Sequence, residues 1–239
     1  MKGQKAWAIW LVALLFLVLV SNLSAEEKHG GFGAGYFSFG PNWIQISKLN
    51  AVLTSAGYSP LTSHVVALGG GGFGGKKRLI WGGEGFGFSS GAVTAHSNEI
   101  RLGGGYGLFN LGYLLYKRPR LGLYPLLGFG GGGFSLQIAS QNKPASFEAL
   151  LQKPEGNLQL TSGEFLLNVG VGFYTLLATP KRPDRIGGFL LGIRVGYLIS
   201  AFRSNWTAGN EEIPNSPEAP FAGPYIHFMI GGGGGKISR

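Results

Sequence analysis

From Phe165 to Leu177, apolar side chains take turns with small or polar ones. Phe165, Leu167, Val169, Val171, Phe173 and Leu177 fall on one face; Glu164, Asn168, Gly170 and Gly172 fall on the other. Residues 188–200, "GFLLGIRVGYLIS", repeat the device, setting Phe189, Leu191, Ile193, Val195, Tyr197 and Ile199 opposite Gly192, Arg194 and Gly196. A period of two belongs to strands, whose successive Cβ atoms point to opposite faces. A related unit recurs along the chain: an apolar residue, alternate glycines, then Phe or Tyr. It reads "LGGGGFGG" at 68–75, "IWGGEGFGF" at 80–88, "RLGGGYGLF" at 101–109 and "LGFGGGGFSL" at 127–136. In a helix these glycines would scatter round the axis at about 1 kcal/mol each.

Eight strands follow, over 31–39, 63–75, 78–89, 97–116, 121–139, 163–178, 187–201 and 223–235. Nearly all exceed the ~9–11 residues that cross a bilayer, where soluble strands typically run about 5–6. An even number of long strands suits a closed transmembrane barrel, because an open edge in lipid leaves backbone groups unpaired. Connections 75–78, 117–120 and 179–186 are short, whereas 40–62, 90–96, 140–162 and 202–222 between them are longer. That alternation predicts an all-β, up-and-down antiparallel eight-stranded transmembrane barrel, with every short turn at one end.

Charge sharpens the picture. The short turns carry Lys76, Lys77, Arg78, Lys117, Arg118, Arg120, Lys181, Arg182 and Arg185, and with Lys236 and Arg239 eleven of the 20 basic residues gather on the rim shared by the termini. Glu148, Glu155, Glu211, Glu212 and Glu218 belong to the opposite rim. A basic periplasmic rim against anionic inner-leaflet head groups is the expected partner, at about 1 kcal/mol per Lys or Arg. Residues 1–25 read as an export signal: Lys2 and Lys5, an apolar run from Ala6 to Val20, then "SNLSA", leaving 26–239 as the barrel. Their removal takes two basic residues and no acidic one, so 18 against 11 leaves about +7. Basic residues confined to turns do not suggest nucleic acid. The chain has no Cys, hence no disulfide framework.

Signal, amphipathic strands and alternating turns together resemble the small eight-stranded outer-membrane barrels of Gram-negative bacteria, the OmpA-like and OmpW-like class. The resemblance is architectural and spans the whole mature chain. It implies an integral outer-membrane protein. Such barrels commonly end on an aromatic residue, whereas this sequence ends "GGGGGKISR".

With the apolar face outward, Glu84, Arg101, Glu164, Asn168, Arg194 and His227 are expected to point inward as a polar lumen network. Gly103, Gly105, Gly170, Gly172, Gly192, Gly196 and Gly231 would leave room beside them or let an aromatic lie over bare backbone. Residues 47–58, "SKLNAVLTSAGY", form the helix candidate, with Ser47 as cap, Leu49, Val52, Leu53 and Ala56 on one face and Gly57 as its left-handed stop. It lies in the first long loop, placed to lid the mouth. Tyr116, Tyr124, Tyr174 and Trp206 near strand ends are expected to anchor at the interface. "AHSNE" (95–99) resembles the His/Ser/Glu set of outer-membrane lipid A deacylases, but adjacent His96 and Ser97 would point to opposite faces of a strand. The four histidines have no metal-ligand spacing, and "GGGFGGKK" (70–77) has Lys77 where a phosphate loop needs Ser or Thr. The expected function is therefore structural and non-enzymatic, without metal or cofactor. The alternatives are a narrow gated pore lined by Glu84, Arg101, Glu164 and Arg194, a lipid-modifying enzyme, and a soluble secreted glycine-rich β-protein.

Overall fold

The computed structural model describes residues 31–96, 98–118, 120–140, 158–177, 185–218 and 221–236. The signal segment 1–25, Ser97, Glu148, Glu155, Lys181, Arg182 and Arg239 lie outside the described residues. Eight long strands form the wall: β1 (Phe32–Trp43), β2 (His64–Lys76), β3 (Leu79–Ser89), β4 (Asn98–Tyr113), β5 (Leu121–Ser140), β6 (Leu158–Leu177), β7 (Arg185–Arg203) and β8 (Gly223–Lys236). Each pairs antiparallel with the next, and β1 pairs with β8 from Phe32↔Gly235 to Asn42↔Tyr225, closing the cylinder. No sheet edge is left open along the wall, as hydrocarbon requires. One irregularity, where Phe165 pairs Phe202 but Leu166 pairs Ser200, bulges β7 at its outer end.

The basic corners share an end. Lys117 Nζ donates to the Lys77 carbonyl at 2.7 Å, and the Leu114 amide donates to the Arg78 carbonyl at 2.8 Å. Phe32, the start of β1, pairs with Gly75 beside the same turn. Lys76, Lys77, Arg78, Lys117, Arg118 and Arg120 therefore ring one rim, and Arg185 begins β7 at that end.

On β6 and β7 the faces fall as the alternation predicts. Phe165, Val171, Leu177, Phe189, Val195 and Ile199 are exposed, while Leu166, Asn168, Tyr174, Leu190, Arg194 and Leu198 are buried. An exposed apolar belt with a buried charge inside is the reverse of a soluble protein and the condition of a barrel in lipid.

The flank from β2 to β5 is different. Midway along it the outward positions form a glycine patch: Gly70, Gly85, Gly107 and Gly131 lie side by side across four strands, with Gly72–Gly83 and Gly87–Gly105–Gly133 in the neighbouring rows and Leu68, Trp81, Phe109 and Phe129 exposed around it. Gly103 and Gly105 thus face outward, not into the lumen as the sequence suggests. The reason is that β4 turns its apolar residues inward: Ile100, Leu102, Tyr106 and Leu108 are buried.

Helix α1 (Ser47–Ser55) stands in the first long loop. Ile46 occupies the cap position and no side chain caps the helix, so Ser47 is its first residue and not its cap. Leu49 and Leu53 are buried, Val52 is exposed, and Gly57 takes the left-handed φ of 83° that stops the helix. Asn50 fastens the loop, donating to the Leu61 carbonyl and accepting from the Leu61 amide, both at 2.9 Å. Leu49, Leu53, Ile44, Ile46 and Leu61 join Phe86, Phe88, Ile100, Leu102, Phe134 and Phe221 in one apolar cluster that fills the outer mouth. A second cluster, including Phe73, Ile80, Leu114, Tyr174, Leu190 and Met229, fills the turn end.

Candidate functional site

Between these two apolar layers lies a polar belt. Arg194 on β7 and Glu84 on β3 form an ion pair, with side chains only 4% and 2% exposed. The Arg194 guanidinium also donates to the hydroxyls of Tyr124 (3.0 Å) and Tyr36 (3.2 Å), and its Cζ lies 5.9 and 5.6 Å from their ring centroids. Tyr36 in turn donates to Glu84 Oε2 at 3.3 Å. Glu84 Oε1 accepts from Asn110 Nδ2 at 2.7 Å; Asn110 Oδ1 accepts from Asn168 Nδ2 at 2.9 Å; Asn168 Oδ1 accepts from the Tyr225 hydroxyl at 2.9 Å. The chain runs through β1, β3, β4, β5, β6, β7 and β8.

Period two explains how each strand delivers its member: these residues share the lumen-facing parity of their strands. Glycine provides the space. A Cβ on Gly172 would stand 2.3 Å from Cζ of Tyr124, so the ring lies directly over bare backbone. Burying two opposite charges costs several kcal/mol per ion, which close pairing and hydrogen bonds to the remaining lone pairs and protons must offset. Here Glu84 has three such partners.

A shorter chain adjoins. His227 is stacked between Phe86 (4.2 Å) and Tyr225 (4.5 Å), and its Nε2 lies 2.6 Å from Asn42 Oδ1. Asn42 Nδ2 donates to the Tyr106 hydroxyl at 2.9 Å, so its oxygen is the acceptor and His227 Nε2 carries the proton. Glu164 is buried nearer the mouth, where Oε1 accepts the Phe221 amide at 3.0 Å.

Of the six predicted lumen residues, Glu84, Asn168 and Arg194 meet in one network, while His227 and Glu164 face the lumen beside it. Arg101 does not. It lies outside, near the outer end of β4, ion-paired with Glu99 two residues away on the same face. That end of the strand rises toward the water, where a charge needs no lumen. The network also holds Tyr36, Asn110 and Tyr225, and the shorter chain Asn42 and Tyr106, none of which the sequence singles out, together with Tyr124, which the sequence places at the interface instead. Their signal was parity with Glu84 or Arg194 through the strand register. Tyr124, Tyr174 and Trp206 are buried, and only Tyr116 of the four expected anchors stands exposed.

The belt leaves little room. A cavity beside Arg194, lined by Tyr36, Phe73, Asn110, Tyr124 and Leu126 among others, measures about 10 Å³, the threshold for one water molecule. Among the described residues no group of three or more His, Cys, Asp or Glu is placed to hold a metal. His96 sits at a left-handed corner (φ 50°) with its ring edge-on to Tyr58 at 6.0 Å.

The molecule is thus an all-β, closed, antiparallel eight-stranded barrel with, among the described residues, one short helix, an apolar exterior and a packed lumen. It has the architecture of the small outer-membrane barrels that its sequence resembles. Among solved structures, Ail, the attachment invasion locus protein of Yersinia pestis, is similar at 10% identity over 89% of this chain and 100% of its own, with a TM-score of 0.38. Ail in complex with the heparin analogue sucrose octasulfate gives 10%, 88%, 100% and 0.39. The outer membrane protease OmpT of Escherichia coli gives 10%, 91%, 99% and 0.35. No family model and no curated protein matches the sequence.

Proposed function

We propose that the chain is a non-enzymatic, integral outer-membrane barrel that serves the envelope structurally, and that its lumen does not conduct. The observation carrying this reading is the belt itself. Seven strands are stitched across the axis by Arg194, Glu84, three tyrosines and two asparagines, between apolar layers that fill both ends. The exterior supports a membrane location: it is apolar on the flank of β6 and β7, and short basic turns share one end as in outer-membrane barrels. That basic rim suits anionic phospholipid head groups on the periplasmic side. A gated pore would require Arg194 to leave Glu84 and both tyrosines at once, and Arg101 stands outside the proposed gate. Lipid-modifying chemistry at His96 finds no support in a ring turned edge-on to Tyr58.

Purified protein, refolded in detergent and shown by heat-modifiable gel migration to be a barrel, is added to a planar bilayer. The expected record is silent. Reproducible conductance steps, abolished by heating the protein first, would overturn the structural reading in favour of the pore.

A further inference from the structure

At the outer end of β6 and β7 an open cleft of about 350 Å³ is lined by Ser162, Phe202, Arg203, Asn205, Trp206 and Glu218 among others. Its size falls in the range of small-molecule sites. Its frame is fixed. Ser204 clamps Gly163 in both directions, its Oγ accepting the Gly163 amide at 2.8 Å and donating to the Gly163 carbonyl at 3.1 Å. Trp206 is buried, its Nε1 donating to the Pro217 carbonyl at 2.8 Å. Glu218 is tied to Lys48 of α1 at 2.6 Å.

The groups left facing the cleft define its ligand. Arg203 reaches Glu218 only at 3.4 Å, a loose contact that leaves guanidinium and carboxylate able to take a second partner. Lys48 and Arg203 stand against Glu218 and Glu212, so the charge is balanced. Asn205, which donates to Glu212, keeps a second N–H and its carbonyl oxygen, and the Ser216 hydroxyl, which accepts the Trp206 amide, keeps its own proton to donate. Phe202 rests beside Phe165 (6.3 Å between rings), yet is 74% exposed at the rim. An apolar ligand would leave these polar groups unpaired. A strongly anionic one would compete with Glu218 for its cations. A peptide would find no free edge on β6, which is paired here through Thr161↔Thr207 and Leu160↔Ala208, and beyond these only the two-residue edge Glu211–Glu212.

We propose that this cleft binds a neutral, polyhydroxylated ligand, a saccharide of one to three rings. Arg203 and Glu218 take adjacent hydroxyls, and Phe202 covers the C–H face of a ring. The ligand is either a free oligosaccharide or the glycan of a glycolipid.

The test uses the full folded protein in detergent. One arm screens free neutral mono- to trisaccharides, with sulfated and phosphorylated counterparts alongside, by saturation-transfer NMR. A second measures binding of a neutral glycolipid dispersed in the same detergent, with phosphatidylcholine in that detergent as the control. Arg203→Ala and Phe202→Ala, both at exposed positions, are compared with Arg101→Ala as a remote control, each checked for heat-modifiable folding. Binding in either arm, weakened at least tenfold by Arg203→Ala or Phe202→Ala but not by Arg101→Ala, supports the site and identifies the source. Binding untouched by both cleft variants overturns it, as does silence in both arms. Binding confined to sulfated or phosphorylated sugars refutes the neutral class. Conductance plays no part in this test, so it fails or succeeds independently of the structural role.

Discussion

Gly130 and Gly131 are neighbours on β5, yet opposite outcomes are expected when either becomes alanine. Gly131 faces outward, where a Cβ would meet only the Glu164 carbonyl at 3.5 Å, an ordinary contact. Alanine there reduces the freedom of the unfolded chain, stabilising by about 0.4–1 kcal/mol, and sets a methyl against hydrocarbon for up to about 0.8 kcal/mol more. Gly130 faces inward, where a Cβ would stand 1.9 Å from the Gly107 carbonyl oxygen and 2.9 Å from the Leu108 Cα. Both neighbours are backbone of β4, so the strand itself must withdraw. Overpacking of that kind costs about 1–3 kcal/mol, and stretching one or two ladder hydrogen bonds adds about 1 kcal/mol each. The two variants should therefore differ by about 2–7 kcal/mol, with Gly131→Ala at or above the parent and Gly130→Ala well below it. Equilibrium urea titration in lipid vesicles, followed by gel mobility of the folded form, measures both. Equal midpoints, or Gly130→Ala the more stable, would refute the assignment of inside and outside on this strand.

Glu84→Gln should destabilise the barrel by about 3–5 kcal/mol, because Arg194 keeps its buried charge without a counter-ion; adding Arg194→Met should recover much of that loss in the same titration. At the outer rim, the hydrogen bond from Lys48 and the charge of Arg203 lower the Glu218 pKa. A lowered carboxylate pKa gives a contribution present above the unfolded value and lost as pH falls through the folded one. The tie to α1 should therefore persist through the ordinary glutamate range near about 4.3 and break only below it. A carbon-13 titration of the Glu218 carboxyl with a midpoint at or above the ordinary value would contradict this.

Strands β6 and β7 are legible because both faces declare themselves: a long apolar row outside, and inside a row that mixes glycine and polar residues with a few leucines. The same rule misplaced Arg101. On β4 the lumen side is apolar and the lipid side is glycine, so charge was the remaining cue, and near a strand end either face reaches water. Glu84, Asn168 and Arg194 could be named as lumen groups since a charge or amide within a spanning strand has nowhere else to go. The tyrosines could not, because a Tyr ring suits the interface, the lipid and the lumen alike; only register across strands places Tyr36, Tyr124 and Tyr225 on the axis. Helix α1 was visible from its apolar spacing and Gly57, but the partners of Leu49 and Leu53 come from strands tens of residues away.

The side-by-side glycines of β2 to β5 give the cylinder a bald patch, bordered by Leu68, Trp81, Phe109 and Phe129, and leave the opposite flank bristled. Lipid tails can close to within a hydrogen atom of the main chain on the first, while on the second they meet a fringe of phenyl and branched alkyl groups. Viewed down the membrane normal, the molecule is lopsided, and the grip of the bilayer on it varies with compass bearing.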